Sequence, residues 1–82
     1  MEKRIAVLSV IINELESSET VNTVLHEFSS IIIGRMGIPD RERGISVISV
    51  VVDTDTDTIS ALTGKLGKIS GVSVKSAISK NK

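Results

Sequence analysis

The chain of 82 residues contains no cysteine, no tryptophan and no tyrosine, and Phe28 is its single aromatic residue. The absence of cysteine excludes disulfides, thiolate metal ligands and a cysteine nucleophile, and it fits a reducing, cytoplasmic location. With one aromatic side chain there is no platform on which bases or sugars could stack. Ten basic and ten acidic residues cancel, so no overall field attracts nucleic acid or an anionic membrane.

Long hydrophobic runs are also absent, and no stretch approaches the roughly 20 residues that a membrane-spanning helix needs. The hydrophobic share of 40% is nevertheless too high for a disordered chain. We therefore expect one folded domain over residues 1–82, with a core so small that a partner surface would add stability. The opening "MEKRIAVLSVII" is followed by acidic and polar residues, which predicts a strand rather than a signal peptide.

The hydrophobic pattern predicts the element order β-α-β-β-α-β. β-Branched runs indicate strands at 4–12, 45–53 and 72–79, and apolar spacings of three and four residues indicate helices at about 18–29 and from about 55 to 71. Ser17 or Ser18 is the expected cap of the first helix, and Asp55 or Thr56 that of the second.

The segment 30–38 could extend the first helix or form a strand, and two glycines favour the strand, because Gly34 and Gly37 would weaken a helix end. The next residues, "PDRERG" at 39–44, predict a turn. Pro39 fixes φ there, Asp40 can bond to its own backbone, and Gly44 permits a positive φ.

This order predicts an α+β, ferredoxin-like fold, in which two helices cover one face of a four-stranded antiparallel sheet. The strands at 4–12 and 45–53 are apolar on both sides, whereas a sheet with one solvated face alternates apolar and polar residues. We therefore expect a second copy of the chain to cover the face that the helices leave bare. The protein would then be a homo-oligomer held at least partly through its sheet.

Two acidic or basic features resemble metal sites but lack the necessary ligands. The run "DTDTD" at 53–57 begins like a calcium loop, but Thr58 and Gly64 stand where that loop needs glycine and glutamate. We interpret it as a strand end followed by a helix cap.

His26 is the only histidine and faces away from the apolar stripe of its helix. We expect no metal and no cofactor, unless copies of His26 converge across an oligomer.

The segments "GRMG" and "GKLG" fit the GxxG pattern that binds nucleic-acid backbone in KH domains. The first falls in a predicted strand and the second in a predicted helix, whereas the KH loop joins two helices. Glycines that let helices pack closely are the favoured interpretation. Nucleic-acid binding stays the alternative function, although we do not expect direct binding. No nucleophile has a recognisable pairing with a base, so we do not expect an enzyme.

The stretch "RGISVISVVVDTDTDTISALTGKLGKISGVSVKSAIS", with "IIIGRMGIP" upstream, resembles the family of iron-only hydrogenase system regulators. The most specific parts are "GRMGIP" and "LTGKLGKISGVSVK". The resemblance implies an ACT-like module related to the C-terminal domain of nickel-responsive regulators, with a regulatory role in the hydrogenase system. Those regulators bind nickel through several histidines and a cysteine, so His26 alone does not predict a nickel site.

Candidate ligand-binding residues form two groups. In ACT-like modules small ligands commonly lie between subunits, near the end of the first strand and the start of the first helix, where helix N–H groups could receive an anion. By resemblance this group is Asn13, Glu14, Ser17 and Ser18, for which a capped, solvated turn is the alternative interpretation. The second group is Gly34, Arg35, Met36 and Gly37, since glycine lets a ligand or a neighbouring backbone approach. The expected function is a non-catalytic, oligomeric, regulatory or ligand-sensing module with a small molecule as partner.

Overall fold

The structure is a computed structural model that describes residues 2–80, so Met1, Asn81 and Lys82 of the expected domain lie outside the described residues. The strands are β1 (Arg4–Ile12), β2 (Ile32–Asp40), β3 (Ile45–Thr54) and β4 (Val72–Ile78), and the helices are α1 (Ser18–Glu27) and α2 (Thr56–Gly67). Short 3-10 turns flank α1 at Leu15–Ser17 and Ser29–Ile31. The sheet is antiparallel in the order β2-β3-β1-β4, which confirms the ferredoxin-like α+β fold.

The core lies between the helices and one face of the sheet. Burial alternates residue by residue along β1, because successive side chains of a strand point to opposite faces. The buried residues of the central strands are Ala6, Leu8, Val10, Ile12, Ile48, Val50 and Val52. The helices contribute Val21, Leu25, Ile59, Leu62 and Leu66. No helix among residues 2–80 is long and apolar enough to cross a bilayer.

The other side of the sheet, which we call the open face, is largely aliphatic. By strand register its residues are Gly34, Met36 and Ile38 on β2, Val47, Ser49, Val51 and Asp53 on β3, Ile5, Val7, Ser9 and Ile11 on β1, and Ser73, Lys75 and Ala77 on β4. Its exposed large side chains are Ile5, Val7, Ile11, Met36, Ile38 and Val47. The prediction that both central strands are apolar on both sides is confirmed.

The turn between β2 and β3 is shorter than predicted. Pro39 and Asp40 pair with β3 and belong to β2, so the turn comprises residues 41–44 rather than 39–44. Proline is tolerated there because β2 is an edge strand, on which one backbone N–H is not needed for the sheet. As predicted, the Asp40 carboxylate accepts a hydrogen bond from the Arg43 backbone N–H at 3.2 Å, and Gly44 has a φ of 68°.

Helix α2 ends at Gly67, earlier than predicted, and Gly71 lies in the following turn with a φ of 72°. The interpretation that glycines of "GKLG" allow close helix packing is wrong. A Cβ atom on Gly64 or Gly67 would meet no other atom within 4 Å. Both glycines therefore lie on the exposed side of α2.

Asp55 is the cap of α2, one of the two residues predicted for this role. Its carboxylate accepts hydrogen bonds from the Thr58 backbone N–H at 2.8 Å and the Thr58 hydroxyl at 3.0 Å. These bonds favour the charged carboxylate and hold the pKa of Asp55 below its ordinary value of 3.8. The "DTDTD" run is thus a strand end and a helix cap, as interpreted.

We expect Asp55→Asn to reduce the sensitivity of the fold to acid. Because the pKa of Asp55 is lower in the folded state, its contribution to stability is present above about pH 4 and is lost as the pH falls through the folded-state pKa. Asparagine keeps a capping oxygen that does not titrate. The measurement is the difference in Tm between about pH 7 and about pH 2. Asp53→Asn, which removes a carboxylate outside the cap, is the control, and equal acid sensitivity in both variants would contradict the prediction.

Candidate functional site

The turn between β1 and α1 brings together the first group of predicted site residues. These residues are Asn13, Glu14, Ser17 and Ser18, which follow the last residue of β1 and reach the first residue of α1. They lie against the turn between α2 and β4, represented by Ser70 and Gly71. Neither of these two residues was predicted from the sequence to belong to the site.

Three hydrogen bonds join the two turns. The Asn13 backbone N–H donates to the Gly71 carbonyl, and the Ser17 hydroxyl donates to the Ser70 carbonyl, both at 2.7 Å. The Ser70 hydroxyl in turn donates to Oε2 of Glu14, also at 2.7 Å. The bond to Ser70 explains how the hydroxyl of Ser17 is satisfied although the residue is buried.

Helix α1 begins without a side-chain cap, so the prediction that Ser17 caps it is wrong. Ser17 occupies the capping position, but its hydroxyl is directed to the α2–β4 turn instead. The first N–H groups of a helix have no intrahelical acceptor, and a helix N-terminus favours negative charge. Glu14, Glu16 and Glu19 place carboxylates around the same turn. The Ser17 and Ser18 N–H groups donate to the Glu14 and Leu15 carbonyls of the preceding 3-10 turn, so it is the positive end of the helix dipole that lies beside these carboxylates.

Gly71 fits this corner only because it has no side chain. Its φ of 72° is a left-handed conformation, and a Cβ atom at this position would lie 2.6 Å from Cγ of Glu14. The glycine thus lets the two turns approach closely enough for their hydrogen bonds.

We predict that Gly71→Ala destabilises the fold by at least about 1–2 kcal/mol, because the left-handed backbone alone has that cost for alanine. The contacts with Cβ, Cγ and Cδ of Glu14 add to it, so Glu14→Gly combined with Gly71→Ala, which removes all of these atoms, should restore part of the loss. The measurement is the free energy of unfolding in denaturant. In the matched control, Gly64→Ala on α2, alanine should stabilise by up to about 1 kcal/mol. A Gly71→Ala variant as stable as the wild type would contradict the conclusion that this corner requires glycine.

The second group of predicted site residues is divided between the two sides of β2. Gly34 and Met36 lie on the open face, whereas Arg35 and Gly37 lie on the helix side, since residues of a strand alternate in direction. The four residues are consecutive, but the structure does not gather their side chains into one site.

Arg35 is nevertheless connected to the first group through a residue of α1. Its guanidinium donates to Oδ1 of Asn22 at 2.5 Å, and Nδ2 of Asn22 donates to the Ser18 carbonyl at 3.0 Å. Asn22 was not singled out from the sequence. Its spacing of four residues from Ser18 is a visible helical signal, but its contact with Arg35 depends on how α1 packs beside β2.

The remaining sequence features do not add a second site. Both GxxG segments lie in regular elements, the first in β2 and the second in α2, so neither forms a loop. Phe28 packs against the core, and Nζ of Lys65 lies 5.7 Å from its ring centroid. His26 is exposed on α1, and within residues 2–80 no group of three or more His, Cys, Asp or Glu residues is placed to hold a metal.

The sheet order, the two helices on one face and the polar turn after β1 define a small ferredoxin-like α+β protein. Residues 4–76 match the model of the TM1266-like family, described as "Iron-only hydrogenase system regulator, putative". The solved structure of uncharacterized protein TM1266 from Thermotoga maritima is similar, with a TM-score of 0.92 and 45% sequence identity over 96% of this chain and 100% of that chain. The chain therefore belongs to this family of iron-only hydrogenase system regulators, as the resemblance implied.

Two other solved structures are similar in fold alone. A formyltetrahydrofolate deformylase from Pseudomonas putida has a TM-score of 0.64 and 16% identity over 89% of this chain and 28% of that chain. The divalent ion tolerance protein CutA1 from Ehrlichia chaffeensis has a TM-score of 0.52 and 17% identity over 100% of this chain and 87% of that chain. A comparison with curated proteins finds no match.

Proposed function

We propose that this chain is a non-catalytic, ligand-sensing regulator of the iron-only hydrogenase system that acts in the cytoplasm as a homo-oligomer. Membership of the family supports the regulatory role. The observation that carries ligand sensing is the joint between the β1–α1 and α2–β4 turns. A carboxylate, two serine hydroxyls and the uncapped start of a helix lie together there.

The chemistry of this corner favours a small zwitterion over a simple anion. The start of α1 attracts a negative group, and Ser18 is the residue at which that helix begins. Glu14 attracts a positive group and is held in place by the Ser70 hydroxyl. An amino acid carries both charges at a separation of a few bonds. We therefore assign the ligand to the class of free amino acids.

The hydrogen bonds of Asn22 supply a route by which such a ligand would affect the rest of the molecule. A ligand that shifts the first turn of α1 would move the Ser18 carbonyl and, through Asn22, the guanidinium of Arg35. Arg35 belongs to β2, whose next residue, Met36, lies on the open face. In this proposal the occupied turn changes the position of β2 and thereby the surface that the sheet presents.

A thermal-shift screen of amino acids, nucleotides and divalent metals tests the proposed function. A ligand that binds only the folded state raises its stability by about 2.7 kcal/mol at 100 times its Kd, and Tm rises accordingly. We expect an amino acid to give this rise in the wild type. Glu14→Gln should remove it, whereas Glu42→Gln, a matched charge loss in the β2–β3 turn, should not. A screen without any rise in Tm would overturn ligand sensing and favour a structural adaptor.

A further inference from the structure

We propose that the open face of the sheet is the surface on which a second copy of this chain docks, so that the two sheets pack face to face. This inference rests on the oligomeric part of the proposed function and does not depend on the sensing of a ligand. It assigns the contact to one face of the sheet rather than to the free edge of β2.

The open face exposes several large aliphatic side chains. On β1 the exposed fractions of Ile5, Val7 and Ile11 are 41%, 37% and 39%, and on β2 those of Met36 and Ile38 are 61% and 55%. A sheet that faces water on one side ordinarily places polar residues there. Strand β3 lies between β1 and β2 and carries Val47 and Val51 on the same face, so these side chains form a contiguous patch rather than scattered single residues.

The polar residues at the centre of the open face are uncharged, and the charged residues lie at its margin. Ser9 and Ser49 are cross-strand neighbours in the middle of the face, and both are small and uncharged. The charged residues lie at its margin, with Lys75 on the edge strand β4 and Asp53 near the end of β3. Protein interfaces have this arrangement, an uncharged centre within a polar rim. A lysine at the rim can lay its aliphatic stem over the partner while its ammonium group stays in water.

The area of the open face is sufficient for a dimer interface. Strands lie about 4.8 Å apart and rise about 3.3 Å per residue, so four strands of about nine residues present a flat face of about 19 by 30 Å. Two such faces bury about 1,100 Å² before the relief of the side chains is counted, which reaches the roughly 1,000 Å² expected of a specific interface. The face is therefore large enough to hold a dimer without help from another surface.

The sheet edge at β2 is a poorer candidate for contact between copies. The free edge of β2 carries Pro39, and the register of β2 shifts between Ile32 and Gly34. Proline and irregular register both hinder the pairing of an edge strand with another chain. Two identical faces that meet about a two-fold axis form a closed pair, which leaves no aliphatic face exposed. A second copy is therefore the occupant that this face fits best.

A matched pair of lysine substitutions tests the assignment. Ile11 and Ile78 are strand isoleucines with similar exposed fractions, 39% and 43%, but Ile11 lies on the open face and Ile78 on the helix side. We expect analytical ultracentrifugation to show a wild-type dimer at micromolar concentration. Ile11→Lys should raise its dissociation constant at least about 100-fold, because a two-fold interface would bury two unpaired charges. Ile78→Lys should leave the dissociation constant unchanged, and circular dichroism confirms that both variants fold.

The rate at which hydrogen peroxide oxidises Met36 is a second measurement of whether the open face is covered. Its thioether is exposed in a single copy and would be covered in the dimer, so its oxidation should slow as the protein concentration rises. In Ile11→Lys the oxidation should be fast at every concentration. A monomeric wild type would overturn this inference and the oligomeric part of the proposed function together. A dimer that survives Ile11→Lys, with Met36 still reactive, would overturn the assigned face and leave the oligomer intact.

Discussion

Strand β1 is paired along both of its edges, with β3 from Arg4 to Ile12 and with β4 from Ala6 to Ile12, and the rest of the structure depends on this double pairing. One side of β1 supplies the base of the core, and the other supplies the aliphatic centre of the open face. Asn13 directly follows β1, and its backbone N–H donates to the carbonyl of Gly71, which positions the candidate site. The hydrophobic core, the open face and the polar corner thus all depend on one strand.

Elements with a clear hydrophobic period were predicted from the sequence almost to the residue, whereas ends that depend on tertiary contacts were not. Both bounds of β1 were predicted, since its run has no internal turn signal. Pro39 was assigned to a turn because proline commonly begins one, and only the position of β2 at the sheet edge makes a strand proline acceptable. The end of α2 was misplaced because Ile69 continues the apolar spacing. Ile69 packs against the core from the turn beyond the helix.

Only the residues of the β1–α1 turn were predicted to belong to the candidate site, because their partners in the α2–β4 turn are distant in sequence. Asn13, Glu14, Ser17 and Ser18 are adjacent in sequence, and their residue types suggest a polar turn. Their partners are residues 53 to 58 positions away, and local reasoning assigned the Ser17 hydroxyl to the nearest helix end. Glycine at position 71 is typical of the end of a helix, where a positive φ is common. Its closeness to Glu14 follows from the packing of two turns, which no spacing rule describes.

The pairing of β1 with β4 also constrains how the chain reaches its folded state. The Ser79 backbone N–H donates to the Ile5 carbonyl at 2.9 Å, which joins the beginning of the first strand to the end of the last. During synthesis β1 emerges first, yet one of its edges stays unpaired until β4 has been made. Contacts between such distant residues slow folding. A nascent strand that is apolar on both sides and unpaired along one edge is exposed to aggregation during this interval.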